Sequence, residues 1–454
     1  MRWVGLLVIL LSSFALPASA YAADLVQVYE QAVISDPVYQ QALSQRLANQ
    51  EGVPISLAGL LPAANIQAVP SLSKFRSSGN TQEPEQDTTR AYQVSLNLSQ
   101  TIFDFGKFAN LRGAKALSKQ ADAVLNDATQ QLMLRVANAY FAILQDEDNL
   151  VYNEANKAAY AKQLDQIHQQ YKVGLKTVTD VYTAQASYDT AAANYIAAQT
   201  ALTNDNENLR AITGNVYPAL AKLSEKFPLI SPHPEEVEAW VITAQQQNWS
   251  IKAAEYSKAA ALQNMKQQFA GHLPTLNAAG GYIVNYSRNS GGTFVYPAGT
   301  FRTNESTVSL TLNVPLVQGG LVVAQTDQAR YQYQVSTQQL EQAFRATANT
   351  TRQSYAGIIS GIKQIQADRQ AIKSTISSLE GLKAGYHVGT QTLVDVLNQQ
   401  QKVFQTQTQY ASDRYTYVKN LLQLKYAAGT LSQEDLAAIN AWLFSGMDER
   451  HKLA

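Results

Sequence analysis

Apolar positions along this chain follow two periods, and the switch between them marks out the elements. Val181, Tyr188, Tyr195, Leu202 and Leu209 recur every seventh residue, and Val396, Val403, Tyr410, Tyr417 and Leu424 keep the same interval. A sustained seven-residue stripe predicts helices packed in coiled-coil fashion. Ahead of each stripe lies a longer helical stretch. Ala121, Leu125, Ala128, Leu132, Val136, Ala139 and Ile143 mark the first, and Ile358, Ile362, Ile365, Ile372, Ile376 and Leu379 the second. No proline interrupts residues 105–170 or 320–385, which predicts helices of about 100 Å at 1.5 Å per residue. Gln, Asn and Thr fill the remaining surface, giving each helix a second, wetted side.

Elsewhere the period drops to two. Tyr92, Val94, Leu96 and Leu98 alternate with Gln93, Ser95, Asn97 and Ser99, and Val308, Leu310, Leu312 and Val314 alternate with Thr307, Ser309, Thr311 and Asn313. Residues 64–76 and 276–287 are the expected partner strands, and the Gly/Ser/Asn-rich stretches 77–90 and 288–305 the expected loops. Apolar-out, polar-in alternation over about 10 residues fits a transmembrane barrel around water. Four strands cannot close a barrel, since small barrels need about eight. Open edges are not tolerated in lipid, so several copies are expected to share one barrel.

The two halves repeat one plan. Residues 171–214 align without gaps on 386–429, pairing Tyr171/Tyr386, Gly174/Gly389, Thr177/Thr392, Asp180/Asp395, Gln185/Gln400 and Gly214/Gly429. Ala58-Gly59-Leu60-Leu61-Pro62 likewise matches Ala270-Gly271-His272-Leu273-Pro274. The expected organisation is a signal peptide at 1–22, N-terminal helices at 23–60, a first barrel hairpin at 61–104 and a long helical hairpin at 105–213. A connector at 214–234, rich in proline, precedes a helix at 235–272, a second barrel hairpin at 273–317, a second long helical hairpin at 318–429 and a C-terminal segment at 430–454.

Arg2, the apolar residues 3–11 and a small-residue site, either Ala18-Ser19-Ala20 or Ala20-Tyr21-Ala22, read as an export signal. Nothing beyond it resembles a membrane-spanning helix, and no long tail is expected after Trp442. Cysteine is absent, so neither disulfides nor an N-terminal lipid anchor is available. The 35 basic and 35 acidic residues cancel, which gives no reason to expect nucleic acid as a partner. Charged residues make up only 15% of the chain, against about 25% in soluble domains, as suits walls that are wet without being strongly charged. Tyr92, Tyr282, Tyr286 and Tyr296 fall near strand ends, where interfacial aromatic belts sit.

The repeat, Phe103-Asp104-Phe105-Gly106 after the second strand, the run Val314-Pro315-Leu316-Val317-Gln318-Gly319-Gly320 after the fourth, and Tyr386-His387-Val388-Gly389-Thr390 with Val394-Asp395-Val396-Leu397 together resemble the TolC family of outer-membrane efflux proteins. The resemblance covers nearly all of residues 24–442. It implies a homotrimer with a shared twelve-stranded barrel, an α-helical periplasmic tunnel, outer-membrane lipid around the strands, and docking on a periplasmic adaptor (membrane fusion) protein and an inner-membrane pump. The expected fold is therefore a mixed α/β membrane protein: a long antiparallel helical tunnel plus four transmembrane strands per protomer.

The turns at Gly174 and Gly389 are expected at hairpin tips, where glycine suits the left-handed residue that ends a helix. Thr177 with Asp180, and Thr392 with Asp395, have capping-box spacing with Asp in place of Glu. By resemblance, Thr179, Asp180, Tyr386 and Gln391 match an inter-hairpin latch that closes the periplasmic mouth, and Asp395 and Asn398 match a ring of acids. Two positions depart from the family pattern. Gln391 replaces an arginine, lowering a charge-assisted link of about 1.5–3 kcal/mol to a neutral one of about 0.5–1.5 kcal/mol. Asn398 replaces an aspartate and leaves Asp395 as the only acid of the ring. A looser, less cation-sensitive gate is the expectation.

No chemistry competes with this reading. His168, His233, His272, His387 and His451 are scattered without metal-ligand spacing. Asp146-Glu147-Asp148 reads as a solvated helix face, and Gly280-Gly281 and Gly291-Gly292 as strand and loop glycines without a phosphate-loop motif. No nucleophile elbow is present. The chain is read as no enzyme and as needing no cofactor: a passive exit duct for efflux or type I secretion in the outer membrane of a Gram-negative bacterium, reaching into the periplasm. A surface-anchored structural or adhesive coiled coil without transport activity is the alternative.

Overall fold

The computed structural model describes residues 22–79, 82–290 and 298–444. The expected signal peptide, Gly291, Gly292, Tyr296 and His451 lie outside them. Two compact units divide the chain: Leu43–Leu125 with Trp249–Arg345, and the segment up to Ala42 with Asn126–Asn248 and everything from Ala346 on.

In the first unit, β1 (Ala63–Gly79), β2 (Gln82–Phe103), β4 (Thr275–Asn289) and β5 (Gly299–Asn313) form one antiparallel sheet in the order β1-β2-β4-β5. Register places Ile66 opposite Leu96, Leu96 opposite Tyr282, and Gly280 between Leu98 and Val308. Because side chains alternate along each strand, these positions share one face with Leu72, Val94, Tyr92, Leu310 and Leu312. Asn65, Asn97, Ser95, Asn277, Ser309 and Thr311 line the other. Both strand pairs run further than the alternation suggests, into stretches expected to be loops: Ser73 still pairs with Thr89, Phe75 with Asp87, and Tyr286 with Arg302. Alternation reports which face is apolar, whereas the ladder needs only backbone groups, so a polar strand leaves little trace in the pattern.

In the second unit the core gathers Leu25, Val28, Tyr140, Phe141, Ile358, Ile365, Tyr417 and Leu424, all essentially closed to solvent. They come from α1 (Leu25–Ser35), α4 (Phe105–Lys172), α8 (Leu321–His387) and α9 (Leu393–Ala427). With 68 and 67 residues, α4 and α8 each extend about 100 Å. Tyr140 donates to the carbonyls of Ala23 and Ala221 at 3.1 and 2.8 Å, and Tyr417 donates to Ile230 O at 2.9 Å. These bonds fasten the connector to the helices, and β3 (Lys222–Leu223) pairs with β6 (Leu443–Phe444) beside it.

Helices break at equivalent points in the two halves. After α1, Asp36 caps α2 (Pro37–Gln50), accepting from Tyr39 N at 2.8 Å, and its carboxylate takes both guanidinium arms of Arg135. The short α3 (Gly52–Ala58) follows and leads to the first strand. The single helix expected at 235–272 is instead α6 (Val237–Gln247) and α7 (Trp249–Phe269), parted by an extended Asn248 whose side chain donates to Ala427 O at 3.0 Å. A tertiary bond to a carbonyl at the end of α9 thus outweighs an unbroken helical pattern. The acidic run is likewise no simple solvated face. Glu147 meets Lys222 of the connector at 3.6 Å, and Asp148 accepts from Tyr415 of α9 at 2.8 Å, because both segments pack against this stretch of α4.

Candidate functional site

Each long helix reverses at a glycine. Gly174 has φ +77° and Gly389 φ +83°, conformations at which a side chain would be strained. Around the first, Gly174 N donates to Tyr171 O and Leu175 N to Gln170 O, both at 2.9 Å; around the second, Gly389 N donates to Tyr386 O and Thr390 N to Gly385 O at 3.2 and 2.9 Å. The repeat has built the same helix stop twice.

The return helices α5 (Val178–Thr213) and α9 then start on matching caps. Thr177 N donates to Asp180 Oδ2 at 3.0 Å, while Asp180 N donates to Thr177 Oγ1 at 3.2 Å. Thr392 and Asp395 repeat this at 3.0 and 3.2 Å. Hydrogen bonds from Thr177 hold the Asp180 carboxyl below the usual carboxylate range, and those from Thr392 do the same for Asp395. Both therefore stay charged, with one oxygen already committed to the cap.

Within one chain the two tips share a small core. Tyr160, Ile167, Val181, Ala184 and Ala191 of the first hairpin pack with Leu393 and Leu397 of the second. Tyr160 donates to Leu397 O at 3.1 Å, and Lys176 Nζ lies 4.5 Å from the centre of the Tyr386 ring. Neither Tyr160, Lys176 nor Leu397 was among the residues expected at the site; the seven-residue interval from Tyr160 to Ile167 is the one signal that could have marked them. Tyr386, Gln170 and Gln400 line a cavity of about 500 Å³, and Tyr386 OH, Gln170 Oε1 and Gln400 Nε2 are buried without a hydrogen-bond partner among the described residues.

The expected latch residues are not all joined. Asp180 spends its hydrogen bonds on Thr177, whereas Gln391 folds back along α8, so close that a Cβ on Gly385 would stand 2.7 Å from Gln391 Cγ. Thr179 is exposed on the lip of a separate cleft with Tyr160, Tyr182 and Gln401. Asp395 and the exposed Asn398 lie three apart on α9, hence on one face. Among the described residues no group of side chains could hold a metal ion, and no helix is long and apolar enough to cross a membrane.

A four-stranded sheet with one apolar and one polar face, paired with twice-repeated long helical hairpins, defines the class of outer-membrane export ducts. The profile of the outer membrane efflux protein family matches residues 28–215 and 240–430. The chain is 37% identical to the outer membrane protein TolC of Vibrio cholerae, over 94% of its own length and 95% of that protein's. It is 27% identical to the alkaline protease secretion protein AprF of Pseudomonas aeruginosa, over 94% and 89% of the two lengths. The Campylobacter jejuni CmeC outer membrane channel superposes with a TM-score of 0.76, covering 93% of this chain and 90% of that one at 16% identity. This chain belongs to the outer membrane efflux protein family. It is a passive outer-membrane conduit of a Gram-negative bacterium, extending into the periplasm, and not an enzyme.

Proposed function

We propose that three copies of this chain share one twelve-stranded transmembrane barrel and that their helical hairpins close its periplasmic mouth. The sheet carries the proposal. Among the described residues its edge strands β1 and β5 are unpaired on their outer sides, and Val308, Leu310 and Leu312 on β5 are 92%, 67% and 63% exposed. Apolar side chains on a four-stranded sheet with two open edges require both lipid and neighbours. The polar face of Asn97, Ser95 and Ser309 would line the water-filled lumen.

The gate reading rests on the tips and on family resemblance. Residues 105–213 and 318–429 would be tunnel walls, turning at Gly174 and Gly389. Thr179, Asp180, Tyr386 and Gln391 would latch them, and Asp395 with Asn398 would ring the entrance. The orphaned Tyr386 hydroxyl supports a bond made to a neighbouring hairpin. Val173, Leu175 and Val388, exposed at 70%, 73% and 76%, offer apolar tips to a periplasmic adaptor, and an inner-membrane pump would supply the energy. Similarity to a protease secretion protein supports protein export beside small-molecule efflux.

The assembly mass in detergent tests the trimer, and planar-bilayer conductance with the drug susceptibility of a deletion strain tests the duct. A trimer that conducts, and a deletion strain of raised susceptibility, are expected. A monomer without conductance and a deletion without phenotype would return the reading to an anchored coiled coil.

A further inference from the structure

At the end of the sheet away from the helices, the apolar face stops at tyrosines and then turns basic. Tyr92 pairs with Tyr286, and two residues further out Arg90 pairs directly with Arg288. On the flanking strands Leu72 stands opposite Arg90 with Lys74 next along the same face, and Arg302 stands opposite Tyr286. Lys74, Arg90, Arg288 and Arg302 thus make a row across all four strands, on the face of Ile66, Leu96 and Leu310. All four are exposed. None enters an ion pair among the described residues.

Such a row is costly by itself. Like charges directly opposite on neighbouring strands destabilise a sheet, and Arg90 with Arg288 is such a pair. Beyond the apolar run of β4 this face offers the row neutral polar neighbours such as Thr88 and Thr300, so the cations need an anion that reaches them from outside. Depth decides which anion. From Leu276 to Tyr286 the apolar face of β4 runs about 34 Å at 3.4 Å per residue, or about 26 Å once tilted by ~40°. That equals the apolar band of an outer-membrane barrel, about 25 Å tall. Arg288 and its row therefore fall just past the hydrocarbon, at headgroup level of the leaflet opposite the helices. Three of the four are arginines, whose planar guanidinium grips phosphate in bidentate fashion.

We propose that Arg90, Arg288 and Arg302, with Lys74, form a binding row for the phosphate groups of an anionic, phosphorylated glycolipid in the outer leaflet, repeated around the barrel by each copy. The inference deepens the barrel reading and rests on it.

The test uses the full-length assembly in vesicles of zwitterionic phospholipid doped with a phosphorylated glycolipid or with its dephosphorylated form, and counts glycolipid retained after detergent extraction. Wild type should retain the phosphorylated form about tenfold over the other, and an Arg90→Gln/Arg288→Gln/Arg302→Gln variant should lose that preference. Inorganic phosphate at millimolar concentration should not displace the lipid. Without anionic lipid, the variant should melt no lower than wild type, since it removes the Arg90–Arg288 opposition. Conduction by wild type with equal retention of both glycolipids overturns the row while leaving the duct intact. So does a variant that keeps the preference, and so does displacement by free phosphate. Failure of wild type to insert into any vesicle overturns the barrel, and the row with it.

Discussion

The hydroxyl of Tyr160 on α4 donates to the carbonyl of Leu397 on α9 at 3.1 Å, tying the outgoing helix of one hairpin to the return helix of the other. Burial makes this bond matter: Tyr160 is 5% exposed and Leu397 equally so, inside the core that the two tips share. If the tips form the gate, the bond holds two of its parts in register. Tyr160→Phe removes the donor while keeping the ring, at a cost of about 0.5–1.5 kcal/mol. Raised closed-state conductance, with the assembly's mass unchanged, is the expected outcome in planar bilayers.

Gly214 and Gly429 occupy equivalent places in the repeat, with φ of +71° and +75°, but they do not face equivalent surroundings. A Cβ on Gly429 would stand 2.5 Å from Gln247 O, whereas one on Gly214 would stand 3.8 Å from the Ser35 side chain. Gly214→Ala should therefore cost only its backbone strain, about 1 kcal/mol. Gly429→Ala adds a clash with backbone where α6 gives way to α7, and should cost a further ~1–3 kcal/mol, the usual penalty for forcing extra atoms into a packed site. Thermal melting of the two variants side by side reads the difference.

Asp368 is 6% exposed and lies beside Asp413. Burial, followed by the close approach of the Asp413 carboxyl, pushes its carboxyl up to about 6. An acid whose folded value exceeds its unfolded 3.8 contributes stability below about pH 4 and loses it as pH rises through 6. Melting temperature should fall between about pH 4 and 6, and Asp368→Asn should flatten that slope. At about pH 7 the variant should gain on the order of 1–2 kcal/mol. A slope unchanged by the substitution would show that other groups set it.

Much of the helical architecture was legible because coiled-coil packing stamps its period on the sequence: Val181 to Leu209 and Val396 to Leu424 cannot hold that spacing by local propensity alone. The glycine stops were legible because only glycine is at ease at φ near +80°. Helix breaks were legible only where proline marked them. Pro37 announces the break at Asp36, but nothing local announces the one at Asn248, which depends on a carbonyl 179 positions away. Polar strand ends escaped for the reason that their side chains carry no burial signal. At the tips, resemblance named Thr179, Asp180, Tyr386 and Gln391 as latch candidates, while the contacts of Tyr160 and Lys176 and the folded-back course of Gln391 follow from packing that no motif records.

Gln391 and Asn398 offer the most direct test of gating at the helix tips. With Gln391 turned back on Gly385 and Asp395 the one acid in the first turn of α9, the closed mouth should be weakly latched and weakly attractive to cations. Single-channel recording of the wild type and of a Gln391→Arg/Asn398→Asp variant, with a trivalent cation added on the periplasmic side, reads both properties at once. The expected result is a larger closed-state conductance in the wild type, and block at cation concentrations about tenfold or more above those that block the variant. A wild type already small in conductance and blocked at the variant's concentrations would contradict a gate set by these residues.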